Sequence, residues 1–345
     1  MIKRLALGAA MTLAVATASS AQEAPARAPA AATEDLTPYT APQRLVTLPD
    51  GRRMNIFCTG TGAPTVILEG GWTTSTLWWR NIQPELARTT TACSYDRAGY
   101  AFSDAGPMPR TASAIADDLA ALLKAGAIPG PYVIVAHSLG GLDTRLFVDR
   151  NRTSVAGVVL IDPSAPDQDI LMAAASPSYG NQWTGFLAMV DACNKGVIAG
   201  TLTPDMPASR PCIDPPSKRY PDAINAVHRT EQLRPGYQAT AGSEIASVPA
   251  SSREIASSRR NWGALPLIVL TAANSNADPD LKPEDVAALD KVWWGLHEDA
   301  AKLSTIGIHR MVPDSSHFIP KDKPEVVLDA VREVVAQVRA SKATR

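Results

Sequence analysis

The sequence has little that would tie the protein to a nucleic acid, a metal ion or a membrane. Its 33 Lys and Arg residues are scattered and balanced by 34 Asp and Glu, for a net charge of -1, so no basic stripe is available to neutralise phosphates. Only four cysteines occur in 345 residues, and none has the spacing of a metal site. After residue 21, no uncharged apolar run approaches the roughly twenty residues of a membrane span. We therefore expect no nucleic-acid partner, no metal site and no stable membrane anchor.

What is present begins with the pattern of an export signal. Lys3 and Arg4 precede an apolar run from Leu5 to Ala18, and small residues lead to an expected cleavage point after Ala21. The run is too short to span a membrane, and no cysteine follows the cleavage point to carry a lipid. We predict a signal peptide over residues 1–21 and an exported protein, either periplasmic or secreted.

The rest of the chain divides into a linker, a core in two parts and an insertion. Residues 22–40 are rich in Ala and Pro and carry too few large apolar residues to offset the entropy lost on ordering. Over residues 41–164 and 264–345, strand-like runs alternate with helix-period segments, which predicts an α/β core: an eight-stranded, mostly parallel sheet with helices on both faces. Residues 165–263 break this alternation, and we predict that they form an inserted, loosely helical cap. The predicted strands cover residues 44–48, 54–58, 65–68, 91–95, 132–136, 155–161, 265–270 and 307–312.

A serine lies where a buried strand turns directly into a helix. The strand over residues 132–136 leads into Ala-His-Ser-Leu-Gly-Gly, with Ser138 at the turn and the small residues Ala136 and Gly140 two positions before and after it. Small residues there let neighbouring backbone pass close to an exposed hydroxyl. The segment resembles the Gly-His-Ser-x-Gly-Gly motif of the α/β-hydrolase family, from which it departs at Ala136.

The resemblance covers about residues 45–165 and 262–338 and implies a hydrolytic reaction. It implies that Ser138 is the nucleophile and that His317, between the last predicted strand and the last helix, is its general base. The substrate would be a small ester, or an amide, thioester or lactone, cleaved through an acyl-enzyme without a metal or an organic cofactor. Dehalogenases and epoxide hydrolases normally use a carboxylate at this turn, so Ser138 argues against both.

The same resemblance implies an oxyanion hole made of two backbone N–H groups. One belongs to Leu139, directly after the nucleophile. The other lies in the Glu-Gly-Gly-Trp turn after the third strand, which resembles the family's His-Gly-x-x-x-Ser segment, so that Trp72 donates, or Gly71 if the register shifts by one. Asp96 and Arg97 follow the fourth strand in a turn that is normally structural, and we interpret them as a scaffold pair.

The acid that orients the histidine is left open between two aspartates. Asp162 ends the sixth predicted strand, on the same carboxyl edge of the sheet as Ser138, and part of the family carries its acid there. Most members carry it after the seventh strand, where Asp278 comes about three residues late and Asp280 follows it. Asp162 is the first choice and Asp278 the alternative.

The sequence assigns no catalytic role to the other four histidines. His137 is expected to point away from Ser138 and to be structural, and His309 lies inside a predicted strand. His228 and His297 are interpreted as surface residues.

The four cysteines can form two disulfides in an oxidising compartment. The strand order of the α/β-hydrolase family places the second strand beside the fourth, which would bring Cys58 opposite Cys93. Cys193 and Cys212 both lie in the insertion and can close a loop there. The alternative is four buried free thiols.

Two classes of function stay open. The first is the serine hydrolase, and the alternative is a non-catalytic protein of the same fold that binds a small molecule. The insertion's Trp183, Phe186, Met189 and Tyr237 either line an apolar acyl pocket or form a small core of their own. Nothing in the sequence indicates an oligomeric state.

Overall fold

The eight predicted strands all form, and they lie in one sheet. The computed structural model describes residues 35–203, 206, 209–258 and 261–343. The strand order is β1-β2-β4-β3-β5-β6-β7-β8; β2 is antiparallel to β1 and β4, and the other pairs are parallel. The predicted eight-stranded, mostly parallel α/β architecture is confirmed. The strands are β1 (Leu45–Thr47), β2 (Arg53–Thr59), β3 (Thr65–Glu69), β4 (Ala92–Tyr95), β5 (Tyr132–His137), β6 (Val155–Ile161), β7 (Leu267–Asn274) and β8 (Ile308–Ser316).

Helices cover both faces of this sheet. Central strands are apolar on both sides, as expected of parallel strands that are buried twice: Ile67 and Ile134 pack towards α2 and α3, whereas Val66 and Val133 pack towards α11. The helices are α1 (Gln83–Ala87), α2 (Ala112–Ala125), α3 (Gly140–Arg150), α4 (Gln168–Ala175), α5 (Pro177–Ile198), α6 (Asp222–Gln232), α7 (Pro235–Ala246), α8 (Val248–Ala256), α9 (Pro283–Ala301), α10 (Ile319–Asp322) and α11 (Pro324–Ala343).

The parallel pairing aligns the carboxyl ends of β5 and β6. His137 of β5 is paired in register with Ile161 of β6. Ser138 and Asp162, which directly follow these two residues, therefore leave the sheet side by side. β7 and β8 lie further along the same edge, and His317 follows β8 directly. Three loops therefore meet at one edge of the sheet, which is where ligands bind in open α/β folds.

The described part of the insertion between β6 and β7 is more regular than the sequence indicated. It carries α4 to α8, including the 22-residue α5, where we expected only loosely helical structure. The periodicity is weak because α5 packs against α7, α4 packs against both α5 and α9, and α8 packs against α2 and α3, so apolar residues are needed on several sides of these helices. Its role as a cap stays a prediction.

The predicted linker ends earlier than residue 40. A short 3-10 helix covers Thr37–Thr40, and Leu36 and Tyr39 are buried in a small cluster with Ile224 of α6. These two large apolar side chains offset the ordering entropy of the segment. The predicted signal peptide and most of the linker lie outside the described residues. No helix in the described ranges is long and apolar enough to cross a membrane.

Both disulfides anticipated from the sequence are present. Cys58 and Cys93 are paired directly across β2 and β4 and are bonded. Cys193 on α5 is bonded to Cys212 in the segment before α6. The alternative of four free thiols is therefore wrong.

Candidate active site

Ser138 lies on a strained turn between β5 and α3. Its φ of +54° is left-handed, a conformation that costs an L-residue energy and that marks functional sites when it occurs at a sharp strand-to-helix turn. The turn needs the glycine that follows two residues later: a Cβ on Gly140 would lie 2.6 Å from the Gly70 carbonyl oxygen. Ala136 is fully buried in the core, so its methyl group is accommodated where the family motif has glycine.

The imidazole of His317 bridges Ser138 and Asp162. Its Nε2 lies 2.8 Å from Ser138 Oγ, and its Nδ1 lies 2.6 Å from Asp162 Oδ2. An ionised carboxylate can only accept, so Nδ1 carries the proton and Nε2 accepts from the serine hydroxyl. The histidine side chain is 27% exposed whereas Asp162 is fully buried, so the hydrogen-bonded chain runs from the interior to an open surface.

Four donors surround the Asp162 carboxylate. Oδ1 accepts from Ala272 N and Trp293 Nε1, each at 3.0 Å, and Oδ2 accepts from His317 Nδ1 and the Ser275 hydroxyl. Burial raises the pKa of Asp162, but these hydrogen bonds and the neighbouring imidazoles together outweigh burial and lower it. The carboxylate is thus ionised at neutral pH.

Asp278, the alternative acid, lies elsewhere. Its Oδ1 accepts from Asp280 N within its own loop at 2.8 Å, and it lines a separate cavity against α9. β7 continues to Asn274, so the loop that follows presents Ser275 to Asp162 and carries Asp278 beyond it. The fold brings Asp162, and neither Asp278 nor Asp280, to His317.

His137 lies beside His317 instead of pointing away from the site. The two rings are 4.9 Å apart, and His137 Nε2 lies 2.9 Å from the His317 carbonyl oxygen. Burial, and then the charge of His317, lowers the pKa of His137 to about 3, so the ring is neutral and its Nε2–H donates to that carbonyl. His137 holds the backbone of His317 in place.

Two histidines interpreted as surface residues are not on the surface. His297 of α9 is fully buried; it contacts Thr271 Oγ1 at 2.6 Å and the Pro163 carbonyl at 2.8 Å. Half-buried His228 lines the cavity above Ser138. The helical pattern of α9 hid His297, because the helix packs against β7 as well as α4 and so buries positions outside its main apolar stripe.

The turn after β3 lies against the nucleophile. A Cβ on Gly71 would be 3.0 Å from Ser138 Cβ and 3.1 Å from His137 Nδ1, so any larger residue would have to displace these side chains by a few tenths of an ångström. Within the described residues, neither the Trp72 N–H nor the Leu139 N–H donates to a protein acceptor. These are the two groups that the sequence resemblance assigns to the oxyanion hole.

Asp96 and Arg97, interpreted from the sequence as a scaffold pair, are both buried and have different partners. Asp96 is buried and accepts from Thr76 N and Asn55 Nδ2, both at 2.8 Å. Arg97 instead donates to the Gly71 carbonyl in the turn after β3 and to Glu244 of α7.

A cavity of about 390 Å³ opens above Ser138. Ser138, His317 and the turn after β3 line it, and we call the part contributed by the insertion, including residues of α6 and α7, its far wall. No lysine or arginine lines it in the described part of the chain, and no group of three or more His, Cys, Asp or Glu there is placed to hold a metal. The polar groups of the far wall are Asp214, His228, Glu231, Gln232 and Tyr237.

A family model agrees with this fold. The model of the alpha/beta hydrolase family matches residues 66–330, which include Ser138, Asp162 and His317. The chain belongs to the alpha/beta hydrolase family. Uncharacterized protein YqjL of Bacillus subtilis (strain 168) is 24% identical over 80% of this chain and 85% of its own length. Two other relatives are longer, and the chain spans 40% and 28% of their length.

Solved structures share the fold at low identity. A thermophilic esterase from Thermogutta terrifontis, with malate bound, aligns with a TM-score of 0.56 at 23% identity, over 86% of this chain and 98% of its own. The epoxide hydrolase CorEH, without ligand, aligns with a TM-score of 0.59 at 18% identity over the same shares. These structures show the fold alone, while family membership supports a hydrolase.

Proposed function

We propose that this alpha/beta hydrolase cleaves a carboxylic ester through an acyl-enzyme on Ser138. The observation that carries the proposal is the hydrogen-bonded chain from Ser138 Oγ to His317 Nε2 at 2.8 Å and from His317 Nδ1 to Asp162 at 2.6 Å. A serine hydroxyl is a weak nucleophile until an adjacent base takes its proton. Here the base is present, in the required tautomer, and a buried carboxylate stabilises the imidazolium.

The steps follow from this geometry. Ser138 Oγ attacks the ester carbonyl while its proton passes to His317 Nε2; the imidazolium then protonates the departing alcohol as the C–O bond breaks. Water attacks the acyl-enzyme with the same imidazole as base, and the carboxylic acid and free Ser138 are released. The N–H groups of Trp72 and Leu139 stabilise the oxyanion in both halves of the reaction.

The far wall of the cavity favours a polar group of the substrate over an alkyl chain. Asp214 and Gln232 are joined by two hydrogen bonds at the far wall, and buried Glu231 lies beside them. An alkyl chain there would remove water from these groups without replacing its hydrogen bonds. Trp183 and Phe186, for which the sequence left an acyl pocket and a small core both open, pack on each other, and Phe186 also packs on Trp72. Met189 lines a smaller neighbouring cavity, while Tyr237 lines both.

We also propose that the protein acts outside the cytoplasm. Two disulfides support this proposal because such bonds persist in oxidising compartments. The N-terminal sequence pattern supports it independently. Cell fractionation that finds the full-length protein only in the cytoplasm would contradict it.

A fluorophosphonate probe tests the reaction and separates it from the non-catalytic alternative. We expect the wild-type protein to be labelled on Ser138 and to hydrolyse p-nitrophenyl acetate, and Ser138→Ala to lose both properties, with activity lower by several orders of magnitude. Ser257→Ala, at an exposed serine near the end of α8, is the matched control and should behave as wild type. A purely binding protein would leave the wild type unlabelled, and labelling on another residue would refute the proposed nucleophile.

A further inference from the structure

A buried arginine lies directly behind the turn that carries Gly71 and Trp72. Arg97 is 2% exposed, and its five N–H groups are all used. Nε and Nη2 donate to the two oxygens of Glu244 at 2.9 and 3.0 Å, and Nη1 donates to Glu69 at 2.9 Å. The remaining two donors bind the carbonyl oxygens of Gly70 and Gly71, each at 2.6 Å.

The two carbonyl contacts determine where the following N–H groups point. In a planar trans peptide the C=O and N–H bonds are antiparallel, and the Gly71–Trp72 peptide is not among the cis bonds of the chain. Since the carbonyls of Gly70 and Gly71 both face Arg97, the N–H groups of Gly71 and Trp72 both face away from it. Successive N–H groups on one side form a nest that binds anions.

Two glutamates from different parts of the chain hold the guanidinium in position. Glu69 ends β3 immediately before the turn, and Glu244 lies on α7 of the insertion; both are buried. Burial lowers the pKa of Arg97, but the two carboxylates raise it by more than burial lowers it, so the guanidinium stays charged. Tyr95 and Tyr100 donate to these same carboxylates. The planar five-donor fork of arginine matches this arrangement, and the point charge of lysine does not.

The insertion also holds the turn from its other side. Trp72 Nε1 donates to the Ala241 carbonyl of α7 at 2.8 Å, one helical turn from Glu244. The Gly71–Trp72 peptide and the Trp72 side chain are therefore both held to α7. The peptide is held through Arg97 and Glu244, and the side chain is held directly. Docking of α7 on the core and the direction of the Trp72 N–H depend on the same contacts.

We propose that Arg97 is a positioning residue that sets the direction of the Gly71–Trp72 peptide, so that the oxyanion hole forms only when Arg97 is held between Glu69 and Glu244. The proposal rests on the proposed ester hydrolysis, because it assigns a task to the second oxyanion donor. Arg97 touches no reacting atom; it acts through the backbone of the turn.

The decisive variant is Arg97→Lys, compared with Arg110→Lys. Arg110 is equally buried, pairs with Asp118 and does not contact the turn, so its replacement controls for the loss of a buried arginine. For p-nitrophenyl acetate we expect Arg97→Lys to lower kcat by about 10²-fold, the usual effect of losing one oxyanion donor, with KM nearly unchanged. Affinity for phenylboronic acid, which places an oxygen in the oxyanion hole, should fall in parallel. Arg110→Lys should change neither quantity.

Glu244→Gln keeps the proposal testable if Arg97→Lys does not fold. Glu244 accepts from Nε and Nη2 of Arg97, and glutamine keeps its size but weakens its hold on the guanidinium. We expect kcat and boronic acid affinity to fall together by about tenfold, the effect of weakening charge-assisted hydrogen bonds. Thermal unfolding of each variant identifies those that are folded.

The outcomes separate this proposal from the reaction itself. A folded Arg97→Lys with wild-type kcat and boronic acid affinity would overturn the positioning role, as would a wild-type result for a folded Glu244→Gln where the lysine variant is unfolded. If the wild-type Ser138 fails to react with a fluorophosphonate, the proposed hydrolysis itself is wrong. If Ser138 reacts normally in Arg97→Lys, only the positioning role fails.

Discussion

A buried carboxyl group at the carboxyl edge of the core sheet and one in the insertion have pKa values that are shifted in opposite directions. Asp162 at the sheet edge is surrounded by four donors, and its pKa is lowered although it is fully buried. Glu231 of α6 is also buried, but the main interaction opposing burial is one hydrogen bond from Ala101 N. Burial dominates there and raises the pKa of Glu231 to about 7.

The difference comes from the number of hydrogen-bond donors that each region places around its carboxyl group. At the sheet edge, strands and tight turns supply enough backbone and side-chain donors to keep the carboxylate of Asp162 charged. The insertion lines the cavity with Glu231, whose carboxyl group has fewer donors. We infer that the core decides whether a bond is cleaved and that the insertion decides which molecule presents it, except where α7 reaches the oxyanion turn.

The largest expected effect is at the acid of the core. Asp162→Asn should lower kcat by roughly 10⁴ without unfolding the protein, because the amide favours the wrong histidine tautomer and cannot stabilise the imidazolium. Asp278→Asn is the matched control and should retain activity, since Asp278 bonds within its own loop. Kinetics with p-nitrophenyl acetate and circular dichroism of both variants decide the point. An active Asp162→Asn beside an inactive Asp278→Asn would reverse the assignment.

The insertion's disulfide should matter for stability more than for chemistry. Cys193 and Cys212 are 19 residues apart, and removing a cross-link of that length costs about 3 kcal/mol by the chain-entropy estimate. We expect the double serine variant to show that loss in urea unfolding while Ser138 still reacts with a fluorophosphonate. Loss of labelling in a folded variant would mean that the insertion belongs to the catalytic unit.

Acid should destabilise the core through its neutral buried histidines. Burial lowers the pKa of His297 from 6.5 to about 4, so between those values the unfolded chain binds a proton that the folded chain does not. Stability therefore falls as the pH falls from 7 to 5, by about 2 kcal/mol for this residue. His297→Gln should show a smaller pH dependence of the unfolding free energy.

His228 in the insertion provides the comparison for this pH effect. Burial also lowers its pKa, but the side chain is only half-buried and open to the cavity. We expect His228→Gln to change the pH dependence less than His297→Gln does. An equal or larger change would contradict the contrast between core and insertion.

The smallest expected effect is on substrate preference. Glu231→Gln should raise KM for a glyceryl ester several-fold, because the wall loses a strong acceptor for hydroxyl groups, and should leave KM for the matching methyl ester near wild type. Hydrolysis followed by proton release measures both. Glu298→Gln, at an exposed position on α9, is the control, and an equal rise for both esters in Glu231→Gln would argue against a polar subsite.

Local patterns predicted the sheet, and together with the resemblance to the α/β-hydrolase family they singled out Ser138 and His317. An apolar run with strand periodicity marks β5, and Ser138 lies at the turn directly after it. Gly140 is predictable for the same reason, since a tight turn between a buried strand and a helix demands a small residue. These features depend on neighbours within a few residues in the sequence.

Contacts between distant segments were decided only by the tertiary structure. The choice of Asp162 over Asp278 depends on how far β7 extends and on where the loop after it turns. The hydrogen bond between Asp162 and His317 joins residues that are 155 positions apart in the sequence. Arg97 and Glu244 are 147 residues apart, and the weak periodicity of α7 gives no sign that its glutamate is buried. Burial of a charged residue depends on the partners that the whole fold brings to it, and no local pattern records those partners.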